Sequence, residues 1–163
     1  MINYDEMYTN PTLIKKRFDK LSDRLGYKVF LREELANYFG YQFLYTIKDL
    51  DKAFFYFKYN TENYPSSSNT WDSFAEFYML KGDKKKAIEY YEKALASTDY
   101  DKVFIITNPE SVNNEFLQKF NKYNPTVLGG SEIYDFRAMK SFNKIVMSQS
   151  TFSWWGAFLS KAK

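Results

Sequence analysis

Lys48-Asp49-Leu50-Asp51-Lys52-Ala53-Phe54-Phe55-Tyr56-Phe57 and Gly82-Asp83-Lys84-Lys85-Lys86-Ala87-Ile88-Glu89-Tyr90-Tyr91 are two copies of one pattern, 34 positions apart. Self-similarity at such a period marks stacked helical hairpins. Upstream landmarks keep the step: Phe39-Gly40 and Phe43 answer to Phe74-Ala75 and Tyr78 at 35 positions, which puts one extra residue in the turn of the first copy. Trp71, Ala75 and Tyr78 are expected to pack the first helix of the second copy, and Ala87, Tyr91 and Ala94 its second helix. Ala53 and Phe57 hold the matching places in the first copy. The alanines are small because two helices of one hairpin cross closely there. Pro65 closes the first copy, and Asp99 stands near that place in the second.

The period is that of a tetratricopeptide repeat. Repeats are placed at about 34–67 and 68–101, inside a helical region spanning 1–97. Two hairpins bury little alone, since about three units are usual. A helix over 11–25 supplies the missing cap: Leu13, Ile14, Phe18, Leu21 and Leu25 recur at helical spacing. Pro11 suits its first turn and Gly26 its left-handed end. Lys28 to Leu31 is an extended link, and Arg32 or Glu33 begins the next helix. Asn3 to Ala96 also resembles the helical tail of some bacterial alpha/beta-hydrolase esterases, most clearly in Glu62-Asn63-Tyr64-Pro65 and Trp71-Asp72-Ser73. No Gly-x-Ser-x-Gly elbow and no histidine are present, so no hydrolase chemistry follows from that resemblance.

Past the polar junction Ser97–Asp101 the periodicity changes. Lys102-Val103-Phe104-Ile105-Ile106-Thr107 reads as a buried parallel strand bounded by Asn108-Pro109. Ser111 is expected to cap a helix running to Phe120. Pro125 to Leu128 is a second strand closed by Gly129-Gly130, and 133–142 a helix. Ile145-Val146-Met147 forms a third strand, followed by a hydroxyl turn and a last helix. Residues 98–163 thus read as a small, incomplete Rossmann-like unit with three parallel strands, and the fold as α/β overall.

The chemistry concentrates in Ser148-Gln149-Ser150-Thr151-Phe152-Ser153-Trp154-Trp155-Gly156-Ala157. Ser150, Thr151 or Ser153 can cap the helix through its hydroxyl. A capped helix start presents free N–H groups and a positive dipole end, a favourable place for a phosphate. The plainer reading is a strand–helix corner. Gly129-Gly130-Ser131-Glu132 is either a phosphate loop or a simple turn. Arg137, the last arginine of the chain, either reaches a diphosphate or faces solvent. Asp135 either bonds a ribose or the hydroxyl turn, or balances its own helix dipole.

Ser150 to Ala157 with Leu159, preceded by Asp135-Phe136 and Met139, resembles the last signature of the bacterial alpha-1,2-fucosyltransferases. The resemblance implies part of a GT-B domain that needs no metal or other cofactor and takes GDP-fucose or a related GDP-sugar as donor. It gives Ser150, Thr151 and Ser153 the diphosphate side, with Phe152 beside them, and Trp154 and Trp155 packing beneath. The family's His-x-Arg-x-x-Asp signature has no equivalent here. Asn143 and Gln149 depart from its usual residues, and the acceptor half is absent.

Composition bounds the rest. The chain has 163 residues, no cysteine and no histidine, which excludes a disulfide framework and the commonest zinc ligand and general base. A net charge of +3 with interspersed signs argues against nucleic-acid binding. No run reaches membrane-spanning length and no signal pattern opens the chain, so a cytoplasmic location is expected. The expected function is a glycosyltransferase fragment that binds a nucleotide sugar and, through the repeats, a protein partner. On its own it is expected to transfer no fucose at a useful rate. The alternatives are a repeat-type interaction module with an inert α/β tail, and a rearranged fusion of two unrelated pieces.

Overall fold

The structure, a computed structural model, describes residues 4–145 and 151–160. Helices dominate it, joined by one small parallel sheet. The chain divides into two compact units, Met1–Thr98 and Asp99–Lys163. No helix among the described residues is long and apolar enough to cross a membrane.

The first unit is helical throughout. Helix α1 spans Tyr4–Thr9, a turn the sequence reading did not place, and α2 spans Pro11–Leu25. Pro11 opens α2 where its missing N–H costs nothing. Gly26 ends it with φ 74°, its N–H bonding Ser22 O at 2.9 Å. The buried stripe is narrower than expected: Ile14, Phe18 and Ser22 face inward, while Leu13 and Leu25 are each 42% exposed. A step of four residues keeps one face, and Leu13 and Leu25 fall off it. Ser22 Oγ accepts from Val29 N–H at 2.8 Å and so pins the extended link that follows.

Helix α3 (Glu33–Tyr41) runs directly into a π-helical turn, Gln42–Ile47, before α4 (Leu50–Asn63). Helices α5 (Ser68–Leu80) and α6 (Lys84–Ala96) form the second hairpin. The two hairpin turns are built alike. Asp49 Oδ1 accepts from Lys52 N–H and Asp83 Oδ1 from Lys86 N–H, both at 3.1 Å. Lys48 (φ 61°) and Gly82 (φ 82°) both take the left-handed conformation one residue earlier. The turns differ by one residue of arc. Asp83 N–H reaches Tyr78 O at 3.0 Å, whereas Asp49 N–H reaches Phe43 O at 2.9 Å, one residue further back. The extra residue implied by the 35-position offset therefore lies in the π-helical turn, where a wider ring of backbone absorbs it.

Ala53 and Ala87 are fully buried, as are Ala75 and Phe57; Ala94 and Tyr78 are nearly so. Tyr91 and Trp71 are half-buried. Trp71 packs sideways, stacked on Tyr90 with 5.9 Å between ring centroids, and donates its indole N–H to Pro65 O at 2.8 Å. Within the first hairpin Tyr56 stacks on Phe39 and Phe43 at 5.4 and 5.8 Å. At Gly40 a Cβ would come within 2.7 Å of the Phe57 ring.

One acid is out of place in this core. Asp72 is buried beside Glu76, and among the described residues neither has a cationic partner. Glu76 instead accepts from the hydroxyls of Tyr41 (2.9 Å) and Tyr45 (2.6 Å). Burial, with the Glu76 charge adding to it, pushes the Asp72 carboxyl well above the usual carboxylate range. A raised carboxyl holds protons more tightly folded than unfolded, so its contribution to stability declines as pH rises through that window. Asp72→Asn is expected to gain about 1–3 kcal/mol at neutral pH by removing the titrating group. The gain should vanish near pH 3, below the unfolded carboxyl range. Urea midpoints of both proteins across that pH range check it, and a pH-independent difference would exclude the titration.

In the second unit β1 (Phe104–Ile106) and β2 (Thr126–Leu128) pair in parallel, with Ile105 opposite Val127. Three features differ from the sequence reading. The first is the strand count: the described residues form a two-stranded sheet. Ile145 is not in a strand, and Val146 and Met147 lie outside the described residues. The second is burial. Phe104 is 37% exposed and Ile105 and Ile106 are half-buried, because a sheet this short has little to cover its two faces. The third is the helix expected from Ser111 to Phe120. It is broken into a 3-10 turn at Pro109–Ser111, a short helix α7 (Glu115–Gln118) and a second 3-10 turn at Asn121–Tyr123. Asn114, not Ser111, caps α7, taking the Phe116 N–H at 2.8 Å. An asparagine side chain competes with the helix interior and so sets a new start. Helices α8 (Glu132–Ser141) and α9 (Thr151–Phe158) complete the unit.

Candidate functional site

The carboxyl ends of β1 and β2 come together at Thr107-Asn108 and Gly129. A Cβ on Gly129 would lie 2.6 Å from Val112 Cγ2 and 2.9 Å from the Thr107 carbonyl oxygen. Gly129 is thus a close-packing glycine, and Gly130 has open space around it. Helix α8 starts two residues later, so its first turn lies at the strand ends, where open α/β sheets bind ligands.

Helices α8 and α9 pack through Gly156, where a Cβ would stand 2.9 Å from Met139 Sδ and 3.0 Å from Met139 Cβ. Phe136 meets Phe152 beside this crossing, ring centroids 5.5 Å apart. An open cleft of about 350 Å³ runs along the pair, lined by Glu132, Ile133, Phe136, Arg137, Lys140 and Phe152. Its wall is one stripe of α8, at spacings of one, three and four residues. Two cations, Arg137 and Lys140, and one acid, Glu132, stand in it over an apolar floor. Among the described residues none of the three is engaged in an ion pair.

The structure brings Arg137 and Phe152 into this cleft. Asp135 lies on a different side of α8, buried with Met139. Ser153 is buried on α9 and Thr151 begins that helix. Ser150 lies outside the described residues. Lys140 and Phe136 were not singled out as site residues from sequence. The four-residue steps Glu132–Phe136–Lys140 and Ile133–Arg137 were the available signal.

What the unit offers is an open groove along α8 and α9, with apolar side chains beneath and Arg137, Lys140 and Glu132 around it. Residues 86–163 match the model of glycosyl transferase family 11. No curated protein and no solved structure matches the chain. The family match begins within α6, so it takes in the last helix of the first unit as well as all of the second.

Proposed function

We propose that residues 98–163 are the donor-binding part of a fucosyltransferase-like GT-B glycosyltransferase, holding a GDP-sugar by its diphosphate. The match of residues 86–163 to glycosyl transferase family 11 carries this reading, and the α8–α9 cleft agrees with it. The start of α9, with Ser150, Thr151 and Ser153, supplies N–H groups and hydroxyls for the diphosphate, and Arg137 the positive charge. Departing GDP develops negative charge that preorganised cations must stabilise. With no second arginine signature in the chain, donor binding outlasts transfer. The first unit is a tetratricopeptide-type array that recruits a protein partner.

Titration of the whole chain with GDP tests the proposal. Arg137→Ala is expected to weaken GDP binding about ten-fold or more, the worth of a charge-assisted bond. Ser150→Ala and Thr151→Ala should each cost less. Saturable binding that is indifferent to all three changes would reject the assignment. The second reading, an interaction module with an inert tail, predicts no GDP binding at all.

A further inference from the structure

We infer that the face shared by α3 and α5 takes a lysine or arginine side chain from a basic segment of another protein; this rests on the recruiting role proposed above for the first unit. Stacked hairpins bind along one extended surface built from corresponding elements of successive units, and α3 and α5 correspond. Asp72 and Glu76 stand one turn apart on one face of α5. Tyr41, in α3, and Tyr45, in the turn after it, stack with 6.1 Å between ring centroids, and each donates its hydroxyl to one oxygen of Glu76. Tyr45 is 36% exposed and Glu76 is half-buried, so the place is open to a ligand there.

The polar groups left open here can all accept. Asp72 is buried, and among the described residues its carboxylate makes no hydrogen bond or ion pair. Ser73, 1% exposed and beside the Tyr41 hydroxyl, leaves its Oγ without a partner. Asn37, one turn before Tyr41 on α3, leaves its Oδ1 buried and without a partner. Such a set calls for a ligand that donates several hydrogen bonds and carries positive charge. An ammonium brings three donors and a guanidinium five, while their apolar stems lie along aromatic rings that attract the charge. A hard metal ion fits less well, since it takes about six or more oxygens. Among the described residues no three acids, histidines or cysteines are grouped to hold one. Two acids one turn apart weaken the fold when no cation lies between them, and a bound cation relieves both. The chain carries a net charge of +3, so attraction of a basic segment is local to this face and not a property of the whole molecule.

The experiment measures binding of labelled dodecapeptides to the whole chain by fluorescence anisotropy, with circular dichroism as the folding check. The peptides are glycine and serine with lysine, glutamate or leucine at every third place. The lysine peptide is expected to bind saturably, and the other two about ten-fold more weakly or not at all. Asp72→Asn and Glu76→Gln should each weaken the lysine peptide about ten-fold. Glu62→Gln, which removes an exposed acid of α4 paired with Lys58, should leave it unchanged. Asp72→Asn separates binding from scaffolding, because it is expected to strengthen the fold at neutral pH while it weakens the peptide. If the glutamate or leucine peptide binds as well as the lysine peptide, or if the lysine peptide is indifferent to both acid changes, the basic preference is refuted while recruitment stands. If none of the three peptides binds, both fall.

Discussion

Tyr56→Ala is expected to remove about 3–5 kcal/mol from the helical unit, the usual cost of deleting a large buried ring. Tyr56 is fully buried and lies between the two aromatic residues of α3 and its π-helical turn, Phe39 and Phe43, with Phe55 edge-on at 5.5 Å. The rings around it are rigid and cannot collapse inward, so the cavity stays open and the cost falls at the high end. Domains of this size hold a total stability of about 5–15 kcal/mol, so the loss approaches unfolding. Urea denaturation followed by circular dichroism gives the value, with Tyr56→Leu expected in between. A loss below about 1 kcal/mol would place Tyr56 outside the core.

Gly40→Ala is expected to cost about 1–3 kcal/mol, although alanine is the better helix former. The added methyl meets three atoms of the Phe57 ring at 2.7–2.9 Å, and Phe57 is itself fully buried. That ring is fixed by Tyr41 at 5.1 Å, Phe77 at 6.0 Å and Phe74 at 6.5 Å, so it has nowhere to swing. In the second hairpin the same place is held by Ala75, and the place of Phe57 by Tyr91, which is half-buried rather than fully enclosed. Shrinking the partner should restore the fit: Phe57→Leu costs stability alone, but less in the Gly40→Ala background. A double-mutant cycle with an interaction energy near zero would show that the methyl and the ring do not meet.

The helical hairpins were legible because repetition compares the chain with itself. Ala53 against Ala87 and Phe39-Gly40 against Phe74-Ala75 gave their spacing, and the one-residue mismatch pointed to the turn that holds the insertion. What could not be read was how it is held, since a π-helical turn leaves no distinctive composition. In the second unit, strand positions followed from apolar runs at Ile105-Ile106 and Val127-Leu128, yet burial did not. Apolar runs report what a strand wants to bury, not what is available to cover it. Asn113-Asn114 broke the helix predicted there because a single side-chain oxygen outcompeted a weak periodicity. At the site, Arg137 and Phe152 converge through the α8–α9 crossing, which the spacing of Met139 and Gly156 did not reveal.

The widened turn after α3 also shows where the gene can change length. A codon gained or lost between Gln42 and Ile47 alters only how far the backbone bows outward, because Asp49 still finds Phe43 and α4 still begins in the same place. The same change inside α4 or α5 would rotate every later side chain by about a quarter turn and face rings outward. Variants of this chain that differ by one residue are therefore expected to differ there, and a search for strict 34-residue spacing would pass over them.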